Sequence, residues 1–194
     1  MIDTLLKYKD DAFRRPKWAE WGDKGYVVMT VHRPANVDTP EAIQRLKWLL
    51  NKLQHRRRII FPMHPRTRRA LDIQLEPLDP DFANVLFVDP MPYLDFINLV
   101  GHAELVITDS GGLQAETTAL GVPCLTERDN TERPITCALG TNRVVGTNTH
   151  EVYRSAIATL IELADEPERK IPRIPMWDGH AAERIVQKLR EIYT

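Results

Sequence analysis

The sequence predicts an α/β fold built on a doubly wound, parallel, six-stranded Rossmann-like sheet. Two observations carry that prediction. Six short runs are apolar and rich in β-branched residues: "YVVMTVH" (26–32), "RRIIFPM" (57–63), "VLFVD" (85–89), "LVITD" (105–109), "PCLTE" (123–127) and "RVVG" (143–146). Near-continuous apolar runs of this length suit strands covered on both faces. Helix-like stretches lie between them, and such alternation implies a parallel sheet with right-handed crossovers.

Taken in order, "MIDTLLKYKDDAF" (1–13) reads as an amphipathic leading helix. After the first strand, a helix is expected over 40–54, where Ile43, Leu46, Leu50 and Leu53 form one apolar stripe. Thr39 can cap it and Pro40 suits its first position. Further helices are expected over 66–75, 93–103, 112–121 and 132–140. The segment "DEPERKIPRIPMWDGH" carries three prolines and a tryptophan and reads as an extended crossing linker. It leads to "AAERIVQKLREIY", whose Ile185, Leu189 and Ile192 continue a stripe that something must cover. Either both terminal helices pack on this sheet or they bridge to another domain.

Composition narrows the function classes. With 194 residues and a formal net charge of −1, the chain can bury a substantial core but has no global attraction for nucleic acid or anionic lipid. Any anionic partner is therefore bound locally. The only cysteines, Cys124 and Cys137, have neither disulfide-framework nor zinc-site spacing, so no metal is expected and a reducing cytoplasm is the expected location. No run approaches the roughly 20 apolar residues of a membrane span.

The most informative stretch is "LVITDSGGLQAETTALG" (105–121). A strand followed by Ser110, Gly111, Gly112 and a helix places unsatisfied N–H donors at the carboxyl edge of the sheet, where open α/β sheets bind ligands. The helix start is partly positive and glycines let an anion approach the backbone, so phosphate or diphosphate is the natural guest. A tight turn capped by Ser or Asp would also explain these residues. Glu116 projects on the same side as Leu113 and Leu120 and needs a partner there. Vicinal hydroxyls, as on a ribose, would provide one; the helix start or a core hydrogen bond would provide another.

In "TERDNTERP" (126–134), Thr131 is a candidate N-cap, which puts Arg133 in a first helical turn. A cation is disfavoured there unless an anion sits beside it, and a guanidinium matches phosphate oxygens; a solvated surface charge is the alternative. Two strand ends pair histidine with arginine, His32 with Arg33 and His64 with Arg66. On one rim, these pairs would form a polar, cationic cleft.

The stretches "VHRPANVD", "FPMHPRT" and "DPMPYLDFINLV…LVITDSGGLQAETTALGVPCLTERDNTERPITCALGTNRVVGTN" resemble the non-hydrolysing UDP-N-acetylglucosamine 2-epimerases, specifically their C-terminal domain. The resemblance runs over essentially the whole chain. It implies the C-terminal half of a glycosyltransferase-B-like fold, with UDP-sugar held in the cleft between the halves. By resemblance, Ser110, Gly111 and Gly112 would bind the diphosphate, Glu116 the ribose, and Phe96 would lie against uracil. Arg133 and His32 would face the phosphates or the reacting sugar, with His32 the catalytic candidate. Arg33 and His64 would match contacts to a second, regulatory UDP-N-acetylglucosamine. Pro34 and Ala35 stand where the family segment has arginine and glutamate, and Met91 where relatives often carry a polar residue.

The expected organisation is a leading helix and linker (1–20), a UDP-binding α/β domain (21–170) and a linker with a bridging helix (171–194). The family reaction interconverts UDP-GlcNAc and UDP-ManNAc by UDP elimination and re-addition, without metal or nicotinamide cofactor. The proton-moving acids belong to the family's N-terminal domain, so this chain is expected to bind UDP and to turn over only with that domain, in cis or in trans. A homodimer is an expectation for the full-length protein alone. A hydrolysing 2-epimerase and a stand-alone nucleotide-sugar binding module are the alternative readings.

Overall fold

The computed structural model describes residues 1–16, 21, 25–71, 82–166 and 168–193. The sheet is parallel throughout and contains β1 (Tyr26–Thr30), β2 (Arg58–Pro62), β3 (Val85–Val88), β4 (Leu105–Thr108), β5 (Cys124–Thr126) and β6 (Asn142–Val144). Its strand order is β3-β2-β1-β4-β5-β6, so the winding direction reverses between β1 and β4. A crevice forms outside the strand ends at such a reversal. All six strands lie within a residue or two of the runs read from the sequence.

Alternation along the strands divides the core into two layers. Val27 and Met29 of β1 face one cluster, together with Leu46, Leu50 and Leu53 from α3 (Pro40–Gln54) and Val152, Ala156 and Leu160 from α8 (Thr149–Asp165). Tyr26 and Val28 face the other, with α1 (Ile2–Phe13), α5 (Tyr93–His102) and α6 (Gly111–Leu120). The remaining helices are α2 (Pro34–Val37), α4 (Pro65–Leu71), α7 (Pro134–Ala138) and α9 (Ala181–Tyr193).

Helix α3 has the expected bounds, and the Thr39 hydroxyl accepts the Ala42 amide at 3.2 Å. Other helices depart from expectation. Helix α8 is absent from the sequence reading, although Asn148 caps it and Val152, Ala156 and Leu160 recur every fourth residue. Helix α7 begins at Pro134 instead of 132 because Thr131 is drawn into a hydrogen bond with Gln114 and its hydroxyl accepts the Arg133 amide. Arg133 thus occupies the N-cap position, and Thr131 does not. The expected helix over 66–75 is seen as Pro65–Leu71; residues 72–75 lie outside the described residues.

The two terminal helices behave differently. Helix α1 packs on α5, burying Leu5 and Ala12. A Cβ on Gly101 would stand 2.3 Å from the Phe13 ring, so this contact requires glycine. Helix α9 buries no residue, and Ile185, Val186, Leu189 and Ile192 are exposed. Between α8 and α9, Arg169 donates to the carbonyls of Gly101 and Ala103, and Ile174 is buried. Among the described residues, no helix is long and apolar enough to cross a membrane.

Candidate functional site

The site is built where the sheet reverses. His32 follows β1 and Asp109 follows β4, its neighbour in the sheet. Asp109 is fully buried, and its Oδ2 accepts the backbone amides of His32 at 2.9 Å and Arg33 at 2.7 Å and the Asn36 side-chain amide at 3.1 Å. Its Oδ1 lies 2.8 Å from His32 Nδ1. Burial alone would raise the Asp109 carboxyl; the His32 ring and these backbone amides outweigh it and hold the group below the ordinary carboxylate range. An ionised Asp109 fixes the proton on Nδ1 and leaves His32 Nε2 free to meet a ligand.

Beside this pair, Ser110 is the N-cap residue of α6 and makes no side-chain capping bond, while Gly111 and Gly112 open the helix. Among the described residues, neither glycine amide donates to a loop or turn carbonyl. The donors therefore remain available at the positive end of the helix. At the other end, Gly121 closes α6 in the left-handed region with φ of 70°, a conformation that favours glycine.

A cavity of about 460 Å³ opens at this rim, lined by His32, His64, Phe96, Ser110, Gly112 and Glu116, with Thr30, Met63 and Met91 among its other walls. It brings together most of the residues read from the sequence. Phe96 and Met91 supply apolar wall, and the His32 and His64 rings lie 5.3 Å apart. Glu116 is buried, and one of its oxygens accepts the Tyr93 hydroxyl at 3.1 Å. Burial raises its carboxyl above the usual range, against the lowering effect of Tyr93 and the Met1 amino group.

Two expected cations lie elsewhere. Arg133 is exposed and outside the cavity lining. Arg33 flanks the rim, donating through Nε to the Asp109 carbonyl at 3.1 Å and through Nη2 to Glu132 at 3.0 Å. Glu132 also accepts from Arg128 at 3.1 Å, and its carboxylate lies 3.3 Å from where a Gly111 Cβ would stand. The chain's own carboxylate thus occupies an anion-favouring position between two guanidiniums and the amino end of α6. The sequence reading offered Asp109 only a capping role and gave none to Tyr93, Asn36 or Arg128. Asp109 had a visible signal, an acid ending a central strand, but its partner is 77 residues away.

A larger cavity of about 730 Å³ lies beside edge strand β6 and the distal part of α8, lined by residues such as Cys137, Thr141, Arg143 and Glu162. Among the described residues, no helix amino terminus lines it, and Arg143 stands 3.9 Å from Glu162 across it. The smaller cavity has the convergent polar groups that mark a ligand site.

The family model of UDP-N-acetylglucosamine 2-epimerase matches residues 1–190. The UDP-N-acetylglucosamine 2-epimerase of Methanocaldococcus jannaschii is 35% identical over 170 residues, covering 86% of this chain and 45% of the relative. That of Escherichia coli O157:H7 is 36% identical over 206 residues, covering 98% of this chain and 53% of the relative. The crystal structure of the M. jannaschii enzyme in complex with UDP-GlcNAc and UDP superposes with a TM-score of 0.82 at 31% identity, covering 98% of this chain and 52% of that one. The chain spans about half the length of the curated relatives it matches. With the family matched along nearly its whole length and the fold shared, this chain belongs to the UDP-N-acetylglucosamine 2-epimerase family.

Proposed function

We propose that this chain is the UDP-binding, C-terminal half of a non-hydrolysing UDP-N-acetylglucosamine 2-epimerase with a glycosyltransferase-B-like arrangement of two α/β units. The observation that carries the reading is the 460 Å³ cavity, where the open amino end of α6, buried Glu116 and the Asp109-held His32 converge. The diphosphate lies against Ser110, Gly111 and Gly112; Glu116 accepts from the ribose hydroxyls; Phe96 packs against the uracil. A relative of Pseudomonas aeruginosa that is 35% identical over 87% of this chain is a UDP-2,3-diacetamido-2,3-dideoxy-D-glucuronate 2-epimerase. UDP and 2-epimerisation are common to the names of all three relatives, which supports a UDP-sugar as the ligand class.

In the reaction, the anomeric C–O bond breaks, its electron pair leaves with UDP, and the C2 proton passes to a base, leaving a glycal. A proton then returns to the opposite face of C2 and UDP adds back at C1. This chain's contribution is stabilisation of the leaving diphosphate by fixed N–H donors and His32. By the family resemblance, the base at C2 comes from the other half. The exposed stripe of α9 suits docking on that half, in cis or in trans. His64, beside His32, and Arg33, on the adjoining rim, are the contacts for a second, regulatory nucleotide-sugar.

Calorimetry with UDP tests the reading. Binding at high-micromolar affinity or weaker is expected for half a cleft, and tight binding of NAD with no response to UDP would overturn it. Product analysis with a complementing N-terminal half separates epimerisation from hydrolysis: UDP-ManNAc is the expected product, and free N-acetylmannosamine would assign the hydrolysing branch.

A further inference from the structure

Behind the His32–Asp109 pair lies a second buried acid that the binding site does not use. Strands β4 and β5 pair in parallel with Thr108 opposite Thr126, so Asp109 and Glu127 follow side by side on neighbouring strands. Adjacent strands are about 4.8 Å apart, and residues in register project to the same face. The Glu127 amide donates to the Thr108 carbonyl at 2.9 Å, and Asn36 Nδ2 spans the two strand ends, reaching Asp109 Oδ2 at 3.1 Å and the Glu127 carbonyl at 3.2 Å. Only 8% of Glu127 is exposed, and among the described residues its Oε2 is buried without a hydrogen-bond partner.

Two carboxylates cannot both ionise cheaply in such a place. Asp109 Oδ2 accepts two backbone amides and the Asn36 amide, and the His32 ring stands 2.8 Å from Oδ1, which itself accepts no hydrogen bond among the described residues; Glu127 Oε2 has no donor and no such ring beside it. The negative charge therefore settles on Asp109 and the proton on Glu127. The charged groups facing Glu127 are Asp109 from β4 and Arg45 from α3, and His32 Nδ1 lies 2.8 Å from Asp109 Oδ1. Burial first, then Asp109, push the Glu127 carboxyl up to about 8, with Arg45 opposing.

We propose that Glu127 is a positioning residue, an acid kept neutral behind Asp109 so that Asp109 carries the charge that orients the His32 ring towards the diphosphate. The consequence for turnover rests on the function proposed above; the coupling itself does not.

The test is therefore made without nucleotide, by NMR titration of the His32 ring in the wild-type chain and in Glu127→Gln, with the Glu127 side-chain carboxyl followed in carbon-labelled wild type. The wild-type ring resonances are expected to show an alkaline step near pH 8 that matches the Glu127 carboxyl resonance and is absent from Glu127→Gln. Superimposable ring curves for the two proteins would overturn the proposal. So would a Glu127 carboxyl that titrates in the ordinary glutamate range, near about 4.3, a readout that needs no folded variant. Loss of UDP binding with the alkaline step intact would count against the nucleotide reading and leave the coupling standing.

Discussion

His32 Nδ1 and Asp109 Oδ1 lie 2.8 Å apart, joining the ends of two neighbouring parallel strands through a buried carboxylate and a part-exposed imidazole. Asp109→Ala would leave the His32 ring, two backbone amides and the Asn36 amide without their acceptor. Leaving such buried donors without their acceptor costs about 1–3 kcal/mol, an outcome checked by urea denaturation. Because the folded Asp109 carboxyl is lowered, its contribution is present above the unfolded value of about 3.9 and is lost as pH falls through the folded value.

Glu127 gives the opposite sign. Its folded carboxyl is raised, so its contribution is full below the unfolded glutamate value of about 4.3 and is lost as pH rises towards about 8. Glu127→Gln is expected to flatten stability across that window, as read from urea midpoints at pH 5 through 8. An unchanged pH slope in the variant would contradict the assignment.

Glu116→Ala removes the acceptor for the ribose hydroxyls and is expected to weaken UDP binding by about 1–3 kcal/mol in calorimetry. Because burial raises this carboxyl, wild-type UDP affinity is expected to start falling at a higher pH on acidification than it would for an exposed glutamate. Glu116→Gln, which does not ionise, is expected to lose that dependence.

Gly112→Ala separates binding from stability. A Cβ there meets only flexible neighbours, the nearest being Met1 Cε at 3.3 Å, and alanine favours the helix over glycine by roughly 0.5–1 kcal/mol. The variant is expected to denature no more easily than wild type, yet to bind UDP more weakly because a methyl group stands where a phosphate approaches the backbone. Unchanged UDP affinity would remove the diphosphate from this turn.

On α9, Leu189→Asp is expected to leave the urea midpoint of this chain within about 0.5 kcal/mol of wild type, because the side chain is exposed. Sedimentation with a complementing N-terminal half is expected to show lost association. A variant that associates normally would show that the α9 stripe is not the docking surface.

Much of the fold was legible because apolar β-branched runs and glycine-marked turns are local signals. The six strands, α3 with its Thr39 cap and the glycine-opened α6 were all read from neighbouring residues. Helix α8 was not legible although Val152, Ala156 and Leu160 recur every fourth residue, because Thr149 and Thr159 are buried and Ile161 is exposed, which blurs the stripe. The misplaced start of α7 has a long-range cause, the Thr131 bond to Gln114 on α6. The site divides in the same way. Ser110, Gly112 and Glu116 announce themselves within one turn and helix, whereas the links from Asp109 to His32 and from Tyr93 to Glu116 exist only once distant segments are adjacent.

The most direct measurement of the central claim is an NMR titration of the nitrogen-labelled chain with UDP, reading the backbone amides at the start of α6. Saturable shifts at Ser110, Gly111, Gly112 and His32 are expected, with Thr141 and Arg143 beside the larger cavity unmoved. Silent Gly111 and Gly112 amides, or shifts centred on Thr141 and Arg143, would contradict the claim that UDP binds at the amino end of α6.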